Sequence, residues 1–153
     1  MSEEFVTPEG FREIVFTNGV FDILHEGHIE LLKHCRDLKS LFSGHYDKEF
    51  RNGWVVVGIN SDESTKRLKG EDRPVNSQDV RKRNLEKIPF VDEVIIFEED
   101  TPYELIKELE PYCIVKGGDY EPDDVVGKDI APVYIVPTVE GYSTTKIIEE
   151  MSQ

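Results

Sequence analysis

Apolar positions along the chain switch repeatedly between two rhythms. Ile14-Val15-Phe16 is a short run of β-favouring residues that stops at Thr17-Asn18-Gly19, where a glycine admits a turn, so a first strand is expected there. Beyond Gly27, residues Ile29, Leu31, Leu32 and Cys35 recur at helical spacing, which predicts a helix with His28 in its first turn and His25 just ahead of it. Trp54-Val55-Val56-Val57-Gly58-Ile59 is apolar without alternation, the pattern of a strand covered on both faces in a parallel sheet.

The same alternation continues downstream. A helical stretch near Gln78 to Ile88, a strand at Val94 to Phe97, a helix from about Thr101-Pro102 to Leu109 and a strand at Cys113 to Val115 follow in order. Pro102 suits a first helical turn, and Pro111 stops what precedes it. A fifth strand, Val133 to Val136, leads into a closing helix capped by Ser143 or Thr144. Strands separated by helices predict an α/β, Rossmann-like three-layer fold with a mostly parallel five-stranded sheet and right-handed crossovers.

Two stretches break the rhythm. Residues 41–53 join the first helix to the second strand over more than the roughly 2 to 6 residues usual in such a connection, and are expected to form a loop insertion. Residues 119–132 are expected to make a surface turn or short helix before the last strand. With 153 residues and 38% hydrophobic positions, one domain over residues 1–153 is expected.

A formal net charge of −14 opposes binding to nucleic acid or an anionic membrane, so any phosphate ligand must be held by local chemistry. Cys35 and Cys113 lack a metal or redox spacing, and the first residues do not read as a leader peptide; a reduced, cytoplasmic setting is expected. No apolar run approaches the roughly 20 residues of a membrane-spanning helix.

Ligands of parallel α/β sheets settle at the carboxyl ends of the strands, where His25, His28 and the Thr17-Asn18-Gly19 turn all fall. A helix N-terminus there offers unpaired amides and about half a positive charge to a phosphate. The two imidazoles can add hydrogen bonds, and Gly27 lets the backbone come close. Taken alone, a histidine pair at a helix start is more often structural than catalytic. Its companions change that.

"HEGH" and the later "STT" resemble the signature motifs of the HxGH-type nucleotidyltransferase superfamily. "FTNGVFDILHEGH", "VVVGINSDESTKRLKG", "RPVN", "EDTP", "VKGGDY" and "VEGYSTT" together resemble the adenylyltransferase domain of bacterial ADP-heptose synthases, over almost the whole chain. The resemblance implies transfer of a nucleotidyl group, from ATP or another nucleoside triphosphate with Mg2+, to a sugar phosphate such as heptose 1-phosphate, releasing pyrophosphate.

It further implies that His25, His28 and Lys69 are catalytic. Thr17, Asn18, Gly19, Phe21, Gly27, Arg81, Lys116, Gly117, Asp119, Ser143, Thr144 and Thr145 would bind the nucleotide. No protein-held metal site is implied. A homodimer and a separate sugar kinase are the partners expected from the resemblance.

Thr138 stands where cytidylyltransferase relatives carry an arginine, which weighs against cytidine. The alternatives are a glycerol-3-phosphate cytidylyltransferase-like enzyme, a nucleotide-binding module without turnover, and a metal-dependent phosphohydrolase using the histidines as ligands, for which Asp22 and Asp62 are the candidate carboxylates. Retention of His25, His28, Lys69 and Arg81 argues against the second. Lys69 and Arg81 have a plainer alternative as solvated charges, and "STT" as a simple helix cap.

Overall fold

The computed structural model describes residues 13–43, 53–118 and 120–137. In chain order they form β1 (Glu13–Gly19), α1 (Glu26–Ser43), β2 (Gly53–Asn60), α2 (Asp62–Lys69), α3 (Gln78–Glu86), β3 (Glu93–Phe97), α4 (Tyr103–Leu109), β4 (Cys113–Gly117), a 3-10 turn (Pro122–Asp124) and β5 (Val133–Val136). All strand pairings are parallel, in the order β3-β2-β1-β4-β5. The chain therefore winds outward from β1 in one direction, then resumes at β4 on the other side. A crevice at such a switch point is where open α/β sheets bind ligands.

Both faces of the sheet are buried, because successive side chains of a strand point opposite ways. Val15, Val55, Val57 and Val115 pack with Leu32 and Cys35 of α1 and Leu85 of α3. Ile14, Phe16, Val56 and Ile114 pack with Leu105, Ile106 and Leu109 of α4. At Gly58, an added Cβ would stand 3.0 Å from the Phe16 ring and 3.2 Å from Leu105, so the close fit of α4 on this face requires glycine.

The five expected strands and their parallel sheet are present. Two details differ from expectation. Leu41–Ser43, the start of the expected loop insertion, continue α1 as helix, while 44–52 lie outside the described residues. Residues Asp62–Lys69 form a helix that the apolar pattern did not announce. The short helical element expected before β5 is a 3-10 turn of three residues. The expected closing helix and Thr138 lie outside the described residues.

Candidate active site

β1 delivers the chain to the site through a tight turn. A Cβ on Gly19 would come within 3.2 Å of the Phe21 ring, and Phe21 itself has φ 51°, the left-handed region that bulky residues avoid at a cost of about 1 kcal/mol or more. Its buried ring lies 4.9 Å, centroid to centroid, from that of His28.

His25 then opens α1. Its carbonyl accepts the Ile29 amide at 3.1 Å, and its Nδ1 accepts the Gly27 amide at 3.0 Å, so an imidazole does the work usually given to a serine or aspartate cap. An Nδ1 that accepts leaves the proton of the neutral ring on Nε2. His28 Nδ1 accepts the His25 amide at a longer 3.4 Å. The two rings stack at 3.8 Å with planes 20° apart.

Burial lowers the His25 pKa from its ordinary value. His28 falls to about 3, chiefly by burial and then by the facing His25, while the Ile23 carbonyl pulls weakly the other way. Both rings are neutral at physiological pH. A neutral pair brings no charge into this low-dielectric turn.

A second loop is fastened to this turn. Buried Asp22 accepts the amides of Val75 at 2.7 Å and Asn76 at 2.8 Å, and the Asn76 side chain donates back to the Asp22 carbonyl at 2.7 Å. Arg73 places Nε 3.5 Å from the same carboxylate. The α2–α3 loop is thereby held against the residues that lead into the histidines.

Arg81, expected beside the phosphates, is instead fully buried. Its Nε donates to the Asn76 carbonyl, one Nη donates to the carbonyls of Val20 and Asn60, and the other donates to Asp62 at 2.8 Å. Each nitrogen of its guanidinium meets a protein acceptor, so it is not a solvated charge. It clamps the ends of β1 and β2 to the α2–α3 loop.

The carboxyl end of β4 completes the crevice. Lys116 Nζ donates to the Asn18 carbonyl at 3.0 Å and lies 3.3 Å from Asn18 Oδ1, with the Tyr120 ring centroid 4.4 Å away. Thr17 is buried, and its hydroxyl donates to the Val115 carbonyl at 2.7 Å, so its side chain ties β1 to β4 and does not face a ligand.

The structure thus brings Asn18, Gly19, Phe21, His25, Gly27, His28, Lys116 and Gly117 to one end of the sheet. Lys69 is exposed at the end of α2, and among the described residues no hydrogen bond or ion pair joins it to the histidines or their turn. Asp119, Ser143, Thr144 and Thr145 lie outside the described residues. Asp22 and Arg73 were missed as parts of the site, although both sit inside the motifs "FDILHEGH" and "RPVN".

Among the described residues no group of three His, Cys, Asp or Glu is placed to hold a metal, and no helix is long and apolar enough to cross a membrane. Asp22 and Asp62, the carboxylates weighed above for a metal-dependent hydrolase, are committed to the amides and arginines already described.

A parallel sheet that presents a neutral histidine pair at its switch point is the frame of a nucleotidyltransferase. A family model described as cytidylyltransferase-like matches residues 16–150, and the chain belongs to that family. It is 48% identical over 150 residues to the bifunctional protein HldE of Campylobacter concisus, covering 97% of this chain and 29% of that protein. It is 50% identical over 141 residues to the bifunctional protein HldE of a Nitratiruptor species, covering 92% and 28% respectively. The chain therefore spans under a third of the length of these relatives.

Among solved structures, the lipopolysaccharide core biosynthesis protein of Thermoplasma volcanium superposes with a TM-score of 0.61 at 27% identity, covering 86% of this chain and 98% of that one. Pantothenate synthetase of Thermus thermophilus, at 0.52 and 17% identity over 84% of this chain and 56% of that one, shares the fold.

Proposed function

We propose that the chain is one nucleotidyltransferase domain that joins ATP to a heptose 1-phosphate and releases pyrophosphate. The observation that carries this is the capping bond of His25, which fixes a neutral ring with its proton on Nε2 at the mouth of the sheet, stacked on a second neutral ring. Similarity to the HldE proteins supports the choice of sugar.

The chemistry asks little of a base. A sugar phosphate loses its second proton with a pKa of about 6, so its oxygen is already a nucleophile at neutral pH. That oxygen attacks the α-phosphorus, the bond from α-phosphorus to the bridging oxygen breaks, and pyrophosphate leaves with the electron pair. What the protein must supply is alignment and stabilisation of charge on the α-phosphate oxygens. His25 and His28 are assigned that role as neutral donors, aided by the amides of the first turn of α1.

Asn18, Gly19, Phe21, Gly27, Lys116, Gly117 and Asp119 are assigned to the nucleotide, as are Ser143, Thr144 and Thr145. Lys69 is assigned to the phosphates. Thr17 acts through its backbone and its tie to Val115. A magnesium ion arriving on the triphosphate would be held by phosphate oxygens and water; the described residues offer it no ligand set, and no step is assigned to it. A homodimer, on the strength of the family resemblance, and a reduced cytoplasmic setting, on that of the cysteine spacing, complete the proposal.

The test is a pyrophosphate-release assay with ATP, CTP, GTP and UTP against a panel of sugar phosphates. Release is expected only with acceptor present, greatest for ATP with heptose 1-phosphate. Preference for CTP with glycerol 3-phosphate would reassign the substrates. Phosphate release without acceptor would replace transfer by hydrolysis.

A further inference from the structure

The motif "RPVN" carries a buried cation that the reaction as described leaves without a duty. The Arg73 side chain is 11% exposed, yet its Nε has no hydrogen-bond partner and touches only Asp22, at 3.5 Å. A paired arginine and carboxylate usually meet fork to fork at about 2.8 Å. Here both Asp22 oxygens are already taken at short range by the Val75 and Asn76 amides, so the carboxylate holds the guanidinium loosely and from one side. Among the described residues, no other hydrogen bond or ion pair reaches it.

Arg81 makes the contrast. It is buried in the same corner, but its donors meet three carbonyls and a carboxylate. Leaving a buried guanidinium nitrogen without a hydrogen bond is costly, and a bound anion would offset that cost. Its planar fork of donors fits phosphate oxygens better than a lysine does. The loop geometry also points that way. Asp22 stands three residues before His25, so Arg73 is anchored to the turn that carries the histidines. The Arg73 amide donates to the Gly70 carbonyl at 3.1 Å, which keeps it on the same turn as Lys69.

We propose that Arg73 grips a phosphate group of a substrate at the transfer site, on the acceptor sugar or on the triphosphate. The assignment deepens the nucleotidyl-transfer function and rests on it for the identity of the phosphate. In a chain of net charge −14, a pre-placed cation is a local means of drawing a dianion to the nucleophile position.

The experiment compares the full chain with Arg73→Gln and Arg73→Lys. Steady-state turnover gives KM for each substrate, and calorimetric titration with inorganic pyrophosphate reads anion binding without turnover. Arg73→Gln is expected to raise one KM, or weaken pyrophosphate binding, by roughly tenfold or more, and Arg73→Lys to recover part of the loss. A rise confined to the acceptor KM places the sugar phosphate there, and a rise confined to the nucleotide KM places the triphosphate. If Arg73→Gln does not fold, the lysine variant is read alone, with a smaller rise expected.

A lower melting temperature with both constants unchanged would make Arg73 a counter-ion of Asp22 and overturn the proposal. Should the wild type turn over no substrate pair, the proposed function fails, and the titration still decides. Pyrophosphate binding lost in Arg73→Gln then sustains the phosphate grip, whereas equal binding in both proteins, or none in either, ends it.

Discussion

The imidazoles of His25 and His28 lie face to face at 3.8 Å, and each ring accepts a backbone amide through Nδ1. Adding a proton to either ring would break an accepted bond and place a charge against its neighbour. Both effects favour the neutral form, in accord with the lowered pKa of each.

The first prediction concerns pH and rate. With both histidines neutral, the acid limb of turnover is expected to report the second ionisation of the acceptor, at about 6, rather than an enzyme group. Replacing the acceptor by its phosphonate analogue, whose pKa is higher, should move that limb upward. A limb that stays put would return the titration to a histidine.

The second concerns pH and stability. The His28 pKa drops from 6.5 in the unfolded chain to about 3 in the folded one, so between these values the unfolded state binds more protons. The stability contribution is complete above pH 6.5 and is lost as pH falls toward about 3. Melting temperature should decline through that window, and His28→Gln should flatten the decline.

The third concerns catalysis. His28→Gln keeps a polar group under Phe21, where alanine would leave a gap, and is expected to reduce kcat by about a hundredfold or more. Circular dichroism should show an unchanged fold. Near-normal turnover would remove His28 from the reaction.

The fourth concerns Arg81. Arg81→Met strands Asp62 and the carbonyls of Val20, Asn60 and Asn76 without their donors. Asp62 is partly exposed, but the carbonyls lose a fully buried donor, at a cost of about 3 to 5 kcal/mol, so a fall in melting temperature of roughly 6 to 20 °C is expected by thermal unfolding. If Arg81 instead contacted phosphate in solution, KM would change with little loss of stability.

The fifth is a packing test remote from the chemistry. Gly58→Ala pushes a methyl to 3.0 Å from Phe16 and 3.2 Å from Leu105. Overpacking of this kind costs about 1 to 3 kcal/mol, readable by urea unfolding, with turnover per folded molecule unchanged.

How much of this was written in the sequence depends on which residues face the core. Strand β2 was plain because Val55, Val56 and Val57 are buried on both faces of the sheet. Helix α2 was not, because the residues it buries are Ser64 and Thr65 while its leucine, Leu68, is exposed, leaving no apolar stripe to detect.

The histidine pair was legible from its place after a strand and before a helical pattern. The two arginines were not told apart. Arg81 lies four residues before Leu85, and both are buried on the inner face of α3, a spacing that could have marked it as structural. The bond from Asp22 to residues 53 and 54 positions further along had no local signature at all.

That long tether has an evolutionary side. Because one carboxylate fixes both connecting segments, insertions or deletions between Gly70 and Asn76 would shift the register at which the amides of Val75 and Asn76 meet it, and drag the histidine turn out of line. Changes in the length of this link are therefore expected to be tolerated poorly, since they reach the histidines through a single carboxylate.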